Sequence, residues 1–203
     1  MLDLKTLEDF VKEIEHVWQQ FCVWKFTNNK LAVHMPDFEK NMDRSWSTTT
    51  EELISKNRKF QNFWTVTLPS LQHGWIISIA RLMDEAYFDP KKNTKPNLSF
   101  KYILAQLNDA EIDKQVETRQ VGHKKFIDSI LDWRNKYVAH NDINFSEEKI
   151  NKGFEDYVEF LLKCIEEIKH KHPHLKDCSQ IDLAHIEKIS EAGVGEIFQK
   201  LVA

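Results

Sequence analysis

The sequence predicts an all-α protein built as an antiparallel helical bundle. Three observations carry that expectation. Apolar residues recur at three- and four-residue steps along most of the chain instead of alternating. Five Gly and five Pro in 203 residues are too few for the many tight turns of an all-β fold. Hydrophobic residues at 41% and charged residues at 30% can fill a core and still solvate a surface, so disorder is not expected.

The elements follow in order. Leu4, Leu7, Val11, Ile14, Trp18 and Phe21 share one helical stripe, widened by Phe10, Val17 and Trp24. Thr6-Leu7-Glu8-Asp9 supplies an early-turn signal with acids near a helix start. Residues Leu31 to Thr50 lack a period and contain Pro36, so an irregular loop is expected there. Thr48-Thr49-Thr50-Glu51-Glu52 then opens a second helical region carrying Leu53, Phe60, Phe63 and Trp64, which Pro69 should kink or break. A third run places Leu71, Trp75, Ile79, Leu82 and Ala86 on one face. Asp89 to Asn97 is a loop by composition, and Ser99 caps a short helix through Leu107. Asp109 to Ala139 reads as helical with a break near Gly122. The clearest period is Ile150, Phe154, Tyr157, Val158, Leu161, Ile165 and Ile168, after a Ser146-Glu147-Glu148 start. Ile181 to Val202 reads as one or two short helices split near Gly193 and Gly195. The expectation is roughly five or six helices forming a single domain.

A formal net charge of −4 argues against a broad nucleic-acid-binding surface and confines any such contact to a local site. Three cysteines without CxxC spacing suit a reducing compartment, not a disulfide scaffold or a zinc knuckle. The N-terminal residues lack the basic and apolar regions of a signal peptide, and no run approaches the ~18 apolar residues of a spanning helix. A cytoplasmic protein without a membrane partner is expected.

Projected at about 100° per residue, Lys124 to His140 puts Phe126, Ile127, Ile130, Leu131, Trp133, Tyr137 and Val138 in one apolar arc. Lys125, Asp128, Ser129, Asp132 and Lys136 lie opposite. Arg134 falls near the middle of the apolar arc, in register with Ile127, Leu131 and Val138. A guanidinium stays charged at ordinary pH, so an inward position needs a partner or a wet cleft. One account is a structural ion pair with Asp84 or Glu85. The other is a cleft or subunit interface where the arginine meets an anion. His140 ends the helix about 120° round and about 9 Å along from Arg134. Asn141-Asp142 follow as helix-ending residue types. A histidine in a last turn commonly just favours the helix C-terminus; its combination with an inward arginine is what points to a site.

Arg134-Asn135-(Lys136-Tyr137-Val138-Ala139)-His140 resembles the signature of the HEPN superfamily, in which Arg and a polar residue precede His by four to six intervening positions. The wider string Leu131 to Asp142 resembles the abortive-infection (AbiU-like) branch, as do Ser78 to Glu85 and Leu98-Ser99-Phe100. This likeness lies between about Phe60 and Ile168 (a HEPN-like core of about 60–168), with 181–203 as a C-terminal helical appendage. The resemblance implies a HEPN-type helical bundle that dimerises so that two motifs line one cleft. It implies a metal-independent endoribonuclease of phage defence or toxin–antitoxin function, needing no cofactor. Arg134 would bind the phosphate, His140 transfer protons and Asn135 orient the site, with Lys136, Asn141 and Asp142 contacting substrate. The partners so implied are a second copy, RNA (tRNA among the candidates) and an antitoxin or defence-system protein. One subgroup has a tyrosine two residues after the histidine; Asp142 stands there in this chain, so control through such a tyrosine is not supported.

The residue types suit RNA chemistry. A ribose 2′-hydroxyl can attack its own phosphate, histidine titrates near neutrality, and the arginine fork matches developing phosphorane charge. The alternative is a non-catalytic HEPN module that binds RNA, nucleotide or a protein partner; a third reading is a structural bundle with a paired Arg134. His170, His172 and His174 read as a solvated helix terminus without carboxylate partners, not a metal site. His123-Lys124-Lys125 reads as a solvated face before an RNA-steering one. Of the six tryptophans, Trp18, Trp64, Trp75 and Trp133 sit at core spacing, and Trp46 is the best candidate for base stacking.

Overall fold

The structure, a computed structural model, describes residues 1–34, 56–86, 96–139 and 147–202. Among them it is helical without strands, as predicted. The helices are α1 (Leu4–His34), α2 (Lys56–Met83), α3 (Phe100–Leu107), α4 (Ala110–Gln120), α5 (Lys124–Ala139), α6 (Glu147–Lys171) and α7 (Leu183–Val202). Short 3-10 turns at Val121–His123 and Pro173–Leu175 link α4 to α5 and follow α6. Among the described residues, no helix is long and apolar enough to cross a membrane.

Three sequence expectations are corrected. α1 runs to His34, because Leu31 is buried and extends the stripe beyond Trp24; residues 35–55, including Trp46, lie outside the described residues. The cap of α1 is Asp3, whose carboxylate accepts from the Thr6 N–H at 2.7 Å and the Thr6 hydroxyl at 3.1 Å. The second and third runs form one helix, α2, that continues through Pro69. A mid-helix proline costs about 3 kcal/mol. Packing offsets it: Trp64, Leu68, Trp75 and Ile76 are buried around the proline, and the Ser70 hydroxyl donates to the Val66 carbonyl at 2.7 Å in the same turn. The tail is likewise one helix, since Ile186, Ser190, Val194 and Phe198 form a buried stripe across Gly193 and Gly195.

Two compact units are formed. The first contains Met1–His16 and Ile76–Ile181. Its core gathers Phe10 and Ile14 of α1, Ile79 and Leu82 of α2, Phe100 and Ile103 of α3, and the apolar face of α6. In α6, Phe154, Tyr157, Val158, Leu161, Ile165 and Ile168 are all buried, as their period predicts; the Ile150 side chain lies outside the described ones. Phe100 joins the sets, stacking on Phe10 at 6.0 Å and meeting the Phe160 edge at 6.1 Å. Ser99 caps α3 by accepting from the Tyr102 N–H at 3.3 Å, and Asn108 ends it in the left-handed region at φ 53°. Asp109 then caps α4, accepting from Glu111 and Ile112. α5 is set against α6 at Gly153: a Cβ there would stand 2.7 Å from Cδ2 of Phe126, so only glycine admits that ring.

The second unit contains Val17–Trp75 and Asp182–Ala203. Trp75 meets Phe21 at 5.4 Å and Trp24 at 5.6 Å, and Trp64 stacks on Phe198 at 5.1 Å. α7 is tied to α1 by the Trp18 indole N–H donating to the Leu183 carbonyl at 3.2 Å and by Lys25 with Glu187 at 3.4 Å. The described tryptophans, Trp133 included, are buried packing residues.

Candidate functional site

Helix α5 carries the arginine singled out by the sequence. Ile130 and Trp133 on its apolar side are buried, while Lys124, Lys125, Asp128 and Asp132 are exposed. Arg134 therefore emerges half-buried, its side chain 28% exposed. The guanidinium Nη1 donates to Oδ1 of Asp84 in an ion pair, and Nε donates to Oδ1 of Asn135 at a long 3.4 Å. Of the two carboxylates considered from sequence, Asp84 takes Arg134, and Glu85 pairs with Lys101. Asp84 lies just past the end of α2, where unpaired carbonyls already make the environment negative. Two anions at a helix C-terminus are unfavourable alone, and Arg134 and Lys101 compensate them.

The structure thus brings Arg134, Asn135 and Asp84 together. His140, Asn141 and Asp142 lie outside the described residues, as does the side chain of Lys136. Asn97 was not singled out by sequence. Its backbone N–H donates to the Ala86 carbonyl at 2.9 Å and its side chain to the Glu85 carbonyl at 3.1 Å, fastening the segment that bears Asp84. No local pattern signals this, because the contact exists only once the chain returns toward α3.

A second polar cluster lies at the histidine run, where His170 and His174 are exposed as a solvated terminus predicts and only the expected lack of a carboxylate partner is corrected, at His172. His172 contacts Asp109 at 3.2 Å, Lys171 pairs with Asp109 at 2.9 Å and Glu111 at 2.7 Å, and His174 meets the Leu2 carbonyl at 3.2 Å. Carboxylate partners do exist, supplied by α4 and its cap, so this terminus is a clasp. Among the described residues, no group of three His, Cys, Asp or Glu is arranged to hold a metal. His123 packs on Phe160 at 4.8 Å and Tyr157 at 5.8 Å, and burial lowers its pKa. The three cysteines are buried and none is in a disulfide. Burial pushes the Cys164 thiol up to about 12 and raises that of Cys178, so neither is a ready nucleophile.

Comparison with known proteins adds the family. The sequence matches the HEPN AbiU2 family, described as AbiU2, over residues 4–192, well beyond the central stretch that carries the motif. A segment of 100 residues, 49% of this chain, is 23% identical to the valine–tRNA ligase of Enterococcus faecalis (strain ATCC 700802 / V583), of which it spans 8%. No solved structure matches the chain. With an arginine placed inward on α5, an all-helical architecture and a match across nearly its whole length, the chain belongs to the HEPN AbiU2 family, a HEPN-type abortive-infection family.

Proposed function

We propose that this protein is a metal-independent endoribonuclease that works as a homodimer in phage defence or as a toxin. The observation that carries the reading is the half-buried guanidinium of Arg134 on the apolar arc of the motif helix. In the proposed reaction a ribose 2′-oxygen attacks the adjacent phosphorus, and its proton passes to His140 of one subunit. The P–O5′ bond breaks as the 5′-oxygen takes a proton from His140 of the other. The products are a 2′,3′-cyclic phosphate and a 5′-hydroxyl. Arg134 stabilises the phosphorane charge, Asn135 orients the arginine, and Lys136, Asn141 and Asp142 contact the RNA chain. On an ideal helical wheel of the sequence Arg134 and His140 would diverge by about 120°, and a two-fold dimer is an arrangement that would let the motifs of two subunits converge.

A non-catalytic module that binds RNA, nucleotide or a protein partner is the second reading. It is favoured by the Asp84 carboxylate, which already neutralises part of Arg134, and by the net charge of −4. Incubating a mixed RNA and tRNA pool with wild type, Arg134→Ala and His140→Ala in EDTA separates the two. The ribonuclease reading expects cyclic-phosphate ends from wild type and none from folded variants. An inert wild-type dimer that still retains RNA supports the second reading, and a fully active monomer contradicts the composite site.

A further inference from the structure

Arg134 is held by a carboxylate that is itself held. Asp84 follows directly on α2, with its N–H donating to the Arg81 carbonyl at 3.3 Å. The next two residues are also fastened: Asn97 engages the carbonyls of Glu85 and Ala86, and Lys101 takes the exposed Glu85 carboxylate. Asn97 is in turn continuous with the α3 cap, its carbonyl accepting from the Ser99 N–H at 2.8 Å. The Asp84 side chain is 25% exposed, so it has limited room to swing.

We propose that Asp84 is a positioning residue, clasped through Asn97 and Lys101, that sets the plane of the Arg134 guanidinium; the proposal rests on the ribonuclease reading above. Contacts at Nη1 from Asp84 and at Nε from Asn135 lie at opposite ends of the planar fork. The Asp84 ion pair anchors the Nη1 end of the fork, and the longer 3.4 Å contact with Asn135 stands at the other end. Nη2, between them, is the nitrogen through which a phosphate oxygen is met. The charge of Asp84 repels a phosphate, so its contribution is orientation and not attraction. That conflict gives the role a kinetic signature, because removing the charge favours RNA binding while loosening the group that stabilises the transition state.

The experiment is steady-state cleavage of one RNA substrate in EDTA by wild type, Arg134→Ala, Asp84→Asn, Asp84→Glu and Asn97→Ala, with thermal melts to establish folding. Asp84→Asn is expected to lose on the order of 10- to 100-fold in kcat with KM unchanged or lower. Asp84→Glu recovers part of that loss. Asn97→Ala, which leaves Asp84 and Arg134 in place, shows a smaller loss of kcat with the same KM pattern. If Asp84→Asn does not fold, Asp84→Glu and Asn97→Ala carry the test, and wild-type kcat in both overturns the proposal. An inactive Arg134→Ala beside an Asp84→Asn with wild-type kcat overturns the positioning role and leaves the ribonuclease reading standing. A faster Asp84→Asn also overturns it, since the carboxylate then competes with RNA. Cleavage by Arg134→Ala at the wild-type rate, or an inert wild type, removes the ribonuclease reading and the positioning role with it.

Discussion

Two arginines of the first unit each pair with a carboxylate from another part of the chain, yet they differ in what surrounds them. Arg119, in the last turn of α4, meets Glu167 of α6 at 2.6 Å with both side chains at least 40% exposed. Its position suits the negative end of its own helix, and Glu167 raises its pKa further. An exposed pair of this kind contributes about 0.2–1 kcal/mol. Arg134 meets Asp84 with both side chains under 30% exposed, next to buried Ile130 and Trp133. Pairing is common to both, so pairing does not mark a functional arginine. Placement is what differs: Arg134 stands on an apolar face, where its desolvation cost is higher, and the proposed phosphate contact rests on that difference.

The comparison is sharpened most by exchanging each arginine for lysine, which keeps the charge and removes the fork. Arg134→Lys is expected to lower cleavage on the order of 100-fold, while Arg119→Lys leaves it at the wild-type rate. Equal losses in the two would erase the distinction. Next is the support beneath the motif helix. Gly153→Ala forces a Cβ against Cδ2, Cγ and Cβ of Phe126, the root of that side chain, which cannot swing aside. Overpacking costs about 1–3 kcal/mol, against up to ~1 kcal/mol that alanine returns in helix propensity, so a calorimetric melt should show a net loss.

A subtler effect concerns the helix that bears Arg119. Hydrogen bonding from Lys171, with the Ile112 and Glu111 N–H groups, holds the Asp109 carboxyl down at about 2. Its folded value lies below the unfolded one of about 3.9, so the stabilisation is present above that value and is lost as pH falls through about 2. Asp109→Asn keeps a capping oxygen but lacks the charge. Its Tm should fall below wild type at pH 7, with the gap closing on acidification; a gap independent of pH would contradict the assignment. The smallest expected effect is that of Arg119→Ala, under about 1 kcal/mol in a denaturant titration, with cleavage unchanged.

Periodicity made the buried face of α6 legible because each apolar position there packs into the same core. Arg134 was legible for the complementary reason: a charge in an apolar arc is an anomaly visible without coordinates, and Asp84 was one of two carboxylates that could answer it. The break allowed for at Pro69 and the split expected near Gly193 and Gly195 do not occur, because local propensity is a weak prior. Burial of Trp64, Leu68 and Trp75 around one, and of Val194 and Phe198 around the others, carries the helices through. The Asp109 clasp and the role of Gly153 were not legible, since both depend on where two helices approach, which one-dimensional patterns do not encode.

The proposed function requires that Arg134, although paired with Asp84, also meet a phosphate. It is tested most directly by NMR of the arginine Nε–H groups during titration with an RNA carrying 2′-deoxy substitutions that block cleavage. A saturable shift at Arg134 with none at Arg119 is expected. A titration that binds RNA and leaves the Arg134 signal unmoved would contradict it and leave Arg134 as the partner of Asp84 alone.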